Sequence, residues 1–319
     1  MKVFYSLYDL EAYAPVNSAT QTLKRPGALL KVWFEEGRIG YADCHAWPEL
    51  GDLPLQKQLD LLAADSLTPI TSCALECAKI DADARLEGKA ILNQSSIPKS
   101  HYLVTNLCSL TACQVQRIVD QGFTHVKLKV GRQTDAEGEA IHSLFHDSSL
   151  KLRLDFNECL TPVAFRCFVR QMEALKTQID FIEDPFPFQP EDWKVFQQEG
   201  WRLACDRQAA VARRHPESAS ILIVKPAIQL HDEWEISDGQ TCIVTSYLGH
   251  PLGQAAAAFT AASLDPSGKF VHGLLSHHAY FPTVFSHQLN WAGPAFTVPQ
   301  GHGFGFDNEL KSLKWSPLT

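Results

Sequence analysis

Residues 125–132 read HVKLKVGR. Val126, Leu128 and Val130 alternate with Lys127 and Lys129, which is the two-residue period of a strand. In that register both ammonium groups leave one face while the other face is apolar. Two positive charges aimed at one place require either a wet face or an anion in front of it.

The surrounding chain repeats this texture. From about residue 100, short apolar runs such as YLVTN (102–106), KLRLDF (151–156), IDFIED (179–184), RLACD (202–206), ILIVKP (221–226), TCIVTS (241–246) and KFVHGLL (269–275) read as strands. Amphipathic stretches, among them 109–122, 134–147, 161–177, 190–200 and 252–264, read as helices between them. Strand alternating with helix implies an α/β protein with a parallel sheet. About eight such units suit a closed TIM-type barrel better than an open doubly wound sheet, which the pattern alone leaves possible. Upstream, 1–10 and 27–44 are β-rich with a turn at EEGRIG, 46–54 reads as a loop, and 72–88 reads as a helix with Gly88 as its stop. The last 29 residues look irregular and are expected to fold back onto the N-terminal part.

Composition narrows the function. The 319 residues are 45% hydrophobic with a net charge of -8, which suits a globular protein and argues against nucleic acid or an anionic membrane as partner. No apolar run is long enough to span a bilayer, and the N-terminus lacks the pattern of a signal peptide. Nine cysteines without metal-ligand spacing are expected to be mostly small buried hydrophobes in a reducing cytoplasm, with zinc or a disulfide framework as the alternative.

In a parallel barrel the chemistry sits at the C-terminal strand ends. There the second strand ends with Lys127 and Lys129, the third with Asp155 and Asn157, the fourth with Glu183 and Asp184, the fifth with Asp206 and the sixth with Lys225. Singly, each has a structural explanation: Asp206 as a helix N-cap, a strand lysine snorkelling to the surface. Together, in one phase on five successive strands, they read as a site. Three converging carboxylates repel one another unless a cation sits between them. Oxygen-only ligands suit a hard ion, Mg²⁺ first and Mn²⁺ as substitute. Such an ion can hold a substrate carboxylate and stabilise the charge left when the adjacent carbon loses a proton, with the lysines as acid and base. The anion facing the lysines would be a metal-bound enolate.

The succession K-x-K, LDFN, IEDP, CD and VKP resembles the enolase superfamily, and within it the muconate-lactonizing subgroup. The stretch 25–52 is similar to its N-terminal capping strands, 72–89 to the helix before the barrel, and GHGFGFD (301–307) to its closing glycine-rich turn. The resemblance implies a modified (β/α)7β barrel over 99–290. It also implies an α+β capping domain over 1–98 to which 291–319 return. It makes Asp155, Glu183 and Asp206 the metal ligands, Lys129 the acid/base on one face of the substrate, Lys225 the amine on the other, and Lys127 and Asn157 supporting residues. Of the activities in the subgroup it is most similar to o-succinylbenzoate synthase, a lyase of menaquinone biosynthesis. That enzyme dehydrates 2-succinyl-6-hydroxy-2,4-cyclohexadiene-1-carboxylate, and N-acylamino-acid racemase, dipeptide epimerase and muconate cycloisomerase stand as alternatives. The eighth-strand stretch VHGLLSHHAY carries no Asp-x-Asp of the kind that dipeptide epimerases use. An inactive barrel binding protein is the non-enzymatic alternative. The implied partner is a small carboxylate; nothing sets the oligomeric state. Ser246 is a candidate for the succinyl carboxylate, and His250 either lines the pocket or bonds loop backbone. Arg207 and Gly249 depart from the family, which commonly has Glu at each place. His277 and His278, read as neighbours on a strand, would point to opposite faces and so not share a zinc. The loop from Pro15 to Thr22 could close over the substrate.

Overall fold

The computed structural model describes residues 1–16, 22–94, 96–230 and 237–319. An antiparallel sheet is built from β1 (Lys2–Glu11), β2 (Lys24–Trp33) and β3 (Ile39–His45). Its inner face, with Ala28, Leu30, Val32, Ala42 and Cys44, packs on two helices, α1 (Leu55–Ala63) and α2 (Pro69–Leu86). Helix α2 starts where Thr68 and Thr71 form a reciprocal capping box before Pro69, and it stops at Gly88, whose φ is 64°. Helix α1 follows directly on the expected loop. Leu55, Leu59 and Leu62 give it an apolar stripe at helical spacing, and the latter two are buried.

The second sheet is wholly parallel, with its strands in chain order: β4 (Tyr102–Val104), β5 (His125–Lys129), β6 (Lys151–Asp155), β7 (Ile179–Glu183), β8 (Leu203–Cys205), β9 (Ile221–Val224) and β10 (Thr241–Val244). Between and after them run α3 (Ala112–Asp120), α4 (Thr134–Phe145), α5 (Pro162–Gln171), α6 (Pro190–Gln198), α7 (Ala209–Ala212) and α8 (Pro251–Leu264). Residues 272 and 273 close the ring. On one side His101 N donates to His272 O at 2.7 Å and His272 N to Lys99 O at 2.8 Å. On the other, Gly273 N donates to Val244 O at 2.8 Å and Ser246 N to Gly273 O at 2.9 Å. The eighth strand, expected over 269–275, therefore shrinks to two bridging residues. The fold is the modified (β/α)7β barrel with a cap. The tail returns as α9 (Asp307–Ser312) and β11 (Ser316–Pro317), which pairs with β1. Fully buried Asp81 of α2 ties the tail down, accepting from Phe304 N at 2.7 Å, Tyr41 N at 2.9 Å and Arg85 Nε at 2.6 Å.

The apolar face of β5 meets the helices: Val126 and Leu128 join Leu152, Leu154, Phe165 and Trp193 in one buried cluster. That packing aims Lys127 and Lys129 into the barrel. None of the nine cysteines is in a disulfide among the described residues, and the expectation of buried thiols holds for only part of them. Cys108, Cys113, Cys159 and Cys167 are exposed, because they sit on loops or on outer faces of helices.

Candidate active site

Strand pairing places Lys129 beside Asp155, and Asp155 beside Glu183, in one row at the C-terminal end of the sheet. Lys127 sits one layer deeper, beside Arg153. Its ammonium lies between two carboxylates, 2.7 Å from both oxygens of Glu183 and 2.8 Å from Asp155 Oδ2. Lys129 Nζ is 2.5 Å from the same Asp155 oxygen. Across the mouth Lys225 donates to Asp206. Lys127, Lys129 and Lys225 all line one cavity of about 40 Å³, together with Thr245, Ser246 and Ser276. The structure thus gathers both flanking lysines, the supporting lysine and all three acids.

Electrostatics separates these groups. Burial works against the Asp155 carboxylate, but Lys127 and Lys129 outweigh it and hold its pKa well below the ordinary range. Glu183 goes the other way: burial and the charges of Asp155 and Asp206 push its pKa up against the pull of Lys127. Burial and the charge of Lys127 bring Lys129 below the ordinary lysine value although Asp155 opposes them. Lys127 moves up, because Asp155 and Glu183 overcome its burial. One lysine of the pair is thereby locked as a cation and the other is eased toward the free base.

Loop geometry holds the acids in place. Asp184 has a left-handed backbone, φ 41°, and turns its buried carboxylate onto the next loop, accepting from Asp206 N at 3.0 Å and Arg207 N at 3.1 Å. Asn157 is also left-handed, φ 51°; its N–H donates to Asp155 Oδ1 at 3.2 Å, while its buried Nδ2 has no partner among the described residues. Strained non-glycine residues at three strand ends (Leu248 is the third, φ 52°) are where a site would store strain. Arg207 reaches toward Glu158, 3.7 Å away, so the departure at 207 links two loops. A side chain at 249 has no room: a Cβ there would stand 2.6 Å from Asp43 Oδ2, a carboxylate supplied by the cap.

Ser246 lines the cavity and donates to Ser276 Oγ at 3.0 Å. His250 is not among the residues that line this cavity, and of the two expectations for it the backbone bond is the one present. It is the N-cap of α8, accepting from Leu252 N at 3.2 Å, with its ring against Tyr8 and Phe285. His277 and His278 belong to a 3-10 turn rather than a strand, with their rings nearly perpendicular. Residues 17–21, the middle of the loop expected to close over the substrate, lie outside the described residues. Unforeseen neighbours are Tyr247, whose ring centre lies 5.5 Å from Lys225 Nζ, and the Arg153–His101 pair below Lys127. Arg153 was legible, since it shares the inward phase of Asp155.

Among the described residues no three His, Cys, Asp or Glu side chains form a ready-made metal cluster, because lysine ammonium groups stand between the acids. The donor set nevertheless fits a hard divalent cation. Asp155, Glu183 and Asp206 are all-oxygen donors on adjacent strand ends, and their mutual repulsion shows in Glu183.

A seven-stranded parallel barrel with acids on three consecutive strand ends, lysines on both flanks and an antiparallel cap defines an enolase-superfamily enzyme. The o-succinylbenzoate synthase N-terminal domain family matches residues 3–84, and the enolase C-terminal domain-like family matches residues 111–215. The chain is 30% identical to an o-succinylbenzoate synthase of Bdellovibrio bacteriovorus, over 100% of this chain and 99% of that one. The chain belongs to the o-succinylbenzoate synthase family of the enolase superfamily. Its fold also matches the L-Ala-D/L-Glu epimerase of Bacillus subtilis, with a TM-score of 0.76, 17% identity, and 96% and 98% of the two chains covered. It matches the N-succinyl Arg/Lys racemase of Bacillus cereus with a TM-score of 0.79, 15% identity and 99% of each chain covered.

Proposed function

We propose that this chain is an o-succinylbenzoate synthase that dehydrates 2-succinyl-6-hydroxy-2,4-cyclohexadiene-1-carboxylate to 2-succinylbenzoate. Residues 1–98 with 291–319 act as the cap and 99–290 as the catalytic barrel, at work in the cytoplasm and in menaquinone biosynthesis. The observation that carries the reading is the pair of lysines, 129 and 225, on opposite sides of the acid row, in a chain related end to end to a synthase.

Asp155, Glu183 and Asp206 would hold Mg²⁺, which when bound supplies positive charge to the substrate carboxylate. Lys129, as free amine, takes the proton from the carbon bearing that carboxylate. The bond from the neighbouring carbon to its hydroxyl then breaks, the electron pair leaves with oxygen, and Lys129 returns the proton to release water. The ring gains aromaticity. Lys225 faces the other side as a cation and balances the charge that develops. Lys127 stays protonated and fixes Asp155 and Glu183. The structural neighbours with racemase and epimerase activity support the second reading, N-acylamino-acid racemisation by the same proton abstraction without loss of a hydroxyl.

Incubating the protein with the cyclohexadiene substrate and Mg²⁺ should produce the aromatic absorbance of 2-succinylbenzoate, and chelation should stop it. No turnover there, with racemisation of N-succinylamino acids instead, would move the chain to the second reading. In the same proposal Asp155→Asn removes one charged ligand. Calorimetric titration should show Mg²⁺ affinity lower by at least about tenfold, the scale on which even outer-shell partners act. Unchanged affinity would take Asp155 out of the ligand set.

A further inference from the structure

We propose that His101 binds substrate: as a neutral imidazole held in one tautomer by Arg153, it presents Nε2–H from the cavity floor to an oxygen acceptor of the bound molecule. This rests on the reading above that the lysine cavity takes the substrate.

The argument begins with Arg153. Its guanidinium can only donate. Arg153 Nη1 lies 3.0 Å from His101 Nδ1, so Nδ1 must accept and cannot carry a hydrogen. The hydrogen of a neutral ring then belongs to Nε2. Neutrality follows from the surroundings: burial, then the charges of Arg153 and Lys127, hold the His101 pKa well below its ordinary value. Arg153 is fixed in turn. It is 2% exposed, its Nε donates to Asp180 Oδ2 at 2.9 Å, and its guanidinium stacks 4.7 Å from the centre of the Phe181 ring.

Nε2 has no hydrogen-bond partner among the described residues, though His101 is only 4% exposed. Its side chain lines the cavity that Lys127, Lys129 and Lys225 line. The absence of a side chain at Gly273 makes the space: a Cβ there would stand 3.0 Å from His101 Nε2 and 2.8 Å from Thr245 Cγ2. Thr245 lines the same cavity, and its buried Oγ1 also lacks a partner among the described residues. Nε2–H opens onto the cavity without a partner among the described residues, so a substrate oxygen seated there would meet a donor that nothing else occupies. The acid row is occupied by lysine, so the unspent donors lie on the other wall, where β4, β10 and the bridge at 272–273 meet.

Two measurements test this on the full-length protein. Side-chain ¹⁵N spectra of histidine-labelled protein, with the His101 signals assigned by loss in His101→Gln, should show Nδ1 unprotonated and Nε2 protonated. Titration with 2-succinylbenzoate should then shift Nε2 selectively. An Nδ1–H tautomer, an imidazolium, or no response at Nε2 to saturating product would overturn the proposal. In kinetics, His101→Met should raise KM about three- to tenfold with kcat within about twofold, the loss of one neutral hydrogen bond. His101→Gln, whose amide can accept from Arg153 and donate into the cavity, should recover most of that loss. Equal KM values for wild type and His101→Met would also overturn it. If wild type shows no turnover, the synthase reading falls, and the tautomer spectra, with an N-succinylamino acid titrated in place of 2-succinylbenzoate, still decide the role of His101.

Discussion

Lys129→Ala is expected to lower turnover of the cyclohexadiene substrate by about 10²–10⁴-fold, the range for removal of a positioned general acid–base group. Mg²⁺ affinity should stay within a few-fold of wild type. Lys129 donates to Asp155, but Lys127 contacts that carboxylate too and remains to hold it. The discriminating readout is exchange. Wild type incubated with 2-succinylbenzoate analogues that keep an acidic α-hydrogen should wash in deuterium from solvent, and the variant should not. Solvent exchange at the wild-type rate in Lys129→Ala would remove it as the base and turn attention to Lys225, on the far side of the cavity. Lys225→Ala separates the two roles: it should slow turnover while leaving a slow, detectable exchange, because in the proposed mechanism it carries charge rather than the proton.

The barrel and its acid row were legible because both follow from strand phase. Alternation in HVKLKV sets Val126 and Leu128 against the helices and sends the lysines inward. The same two-residue rule carries Asp155 and Glu183 to neighbouring places in the row. What phase does not encode is loop conformation. Asp184 follows Glu183 and by alternation belongs on the opposite face; a left-handed turn lets it collect the N–H groups of 206 and 207. The eighth strand looked like a seven-residue run, yet only two residues bridge, since pairing there depends on what stands on each side of Gly273. His250 had the polarity of a pocket residue, but it sits at the residue before Pro251, where a helix starts and its first N–H groups need an acceptor. His101 stands alone before a three-residue strand, too short a run for periodicity to assign it an inward face.

Lys127→Met should be the most destabilising single change at the site in metal-free protein, costing about 3–5 kcal/mol as a broken buried ion pair does. The side chain is 7% exposed and its ammonium joins Asp155 and Glu183, which are 2% and 1% exposed. Without it two buried carboxylates face each other. Glu183, whose pKa is already raised by burial and by Asp155 and Asp206, then takes up a proton more readily still. A carboxyl that binds its proton more tightly folded than unfolded makes stability fall as pH rises through the gap between the two pKa values. The deficit of Lys127→Met in chemical denaturation should accordingly be smaller near pH 5 than near pH 8. Divalent cation supplies the missing charge to the folded state alone, so saturating Mg²⁺ should raise the stability of the variant more than that of wild type. A variant as stable as wild type at pH 8 without metal would mean that Lys127 does not neutralise the acid pair. A deficit untouched by both acid and Mg²⁺ would assign Lys127 to packing, and the pairing of acid row and cation would lose its main physical support.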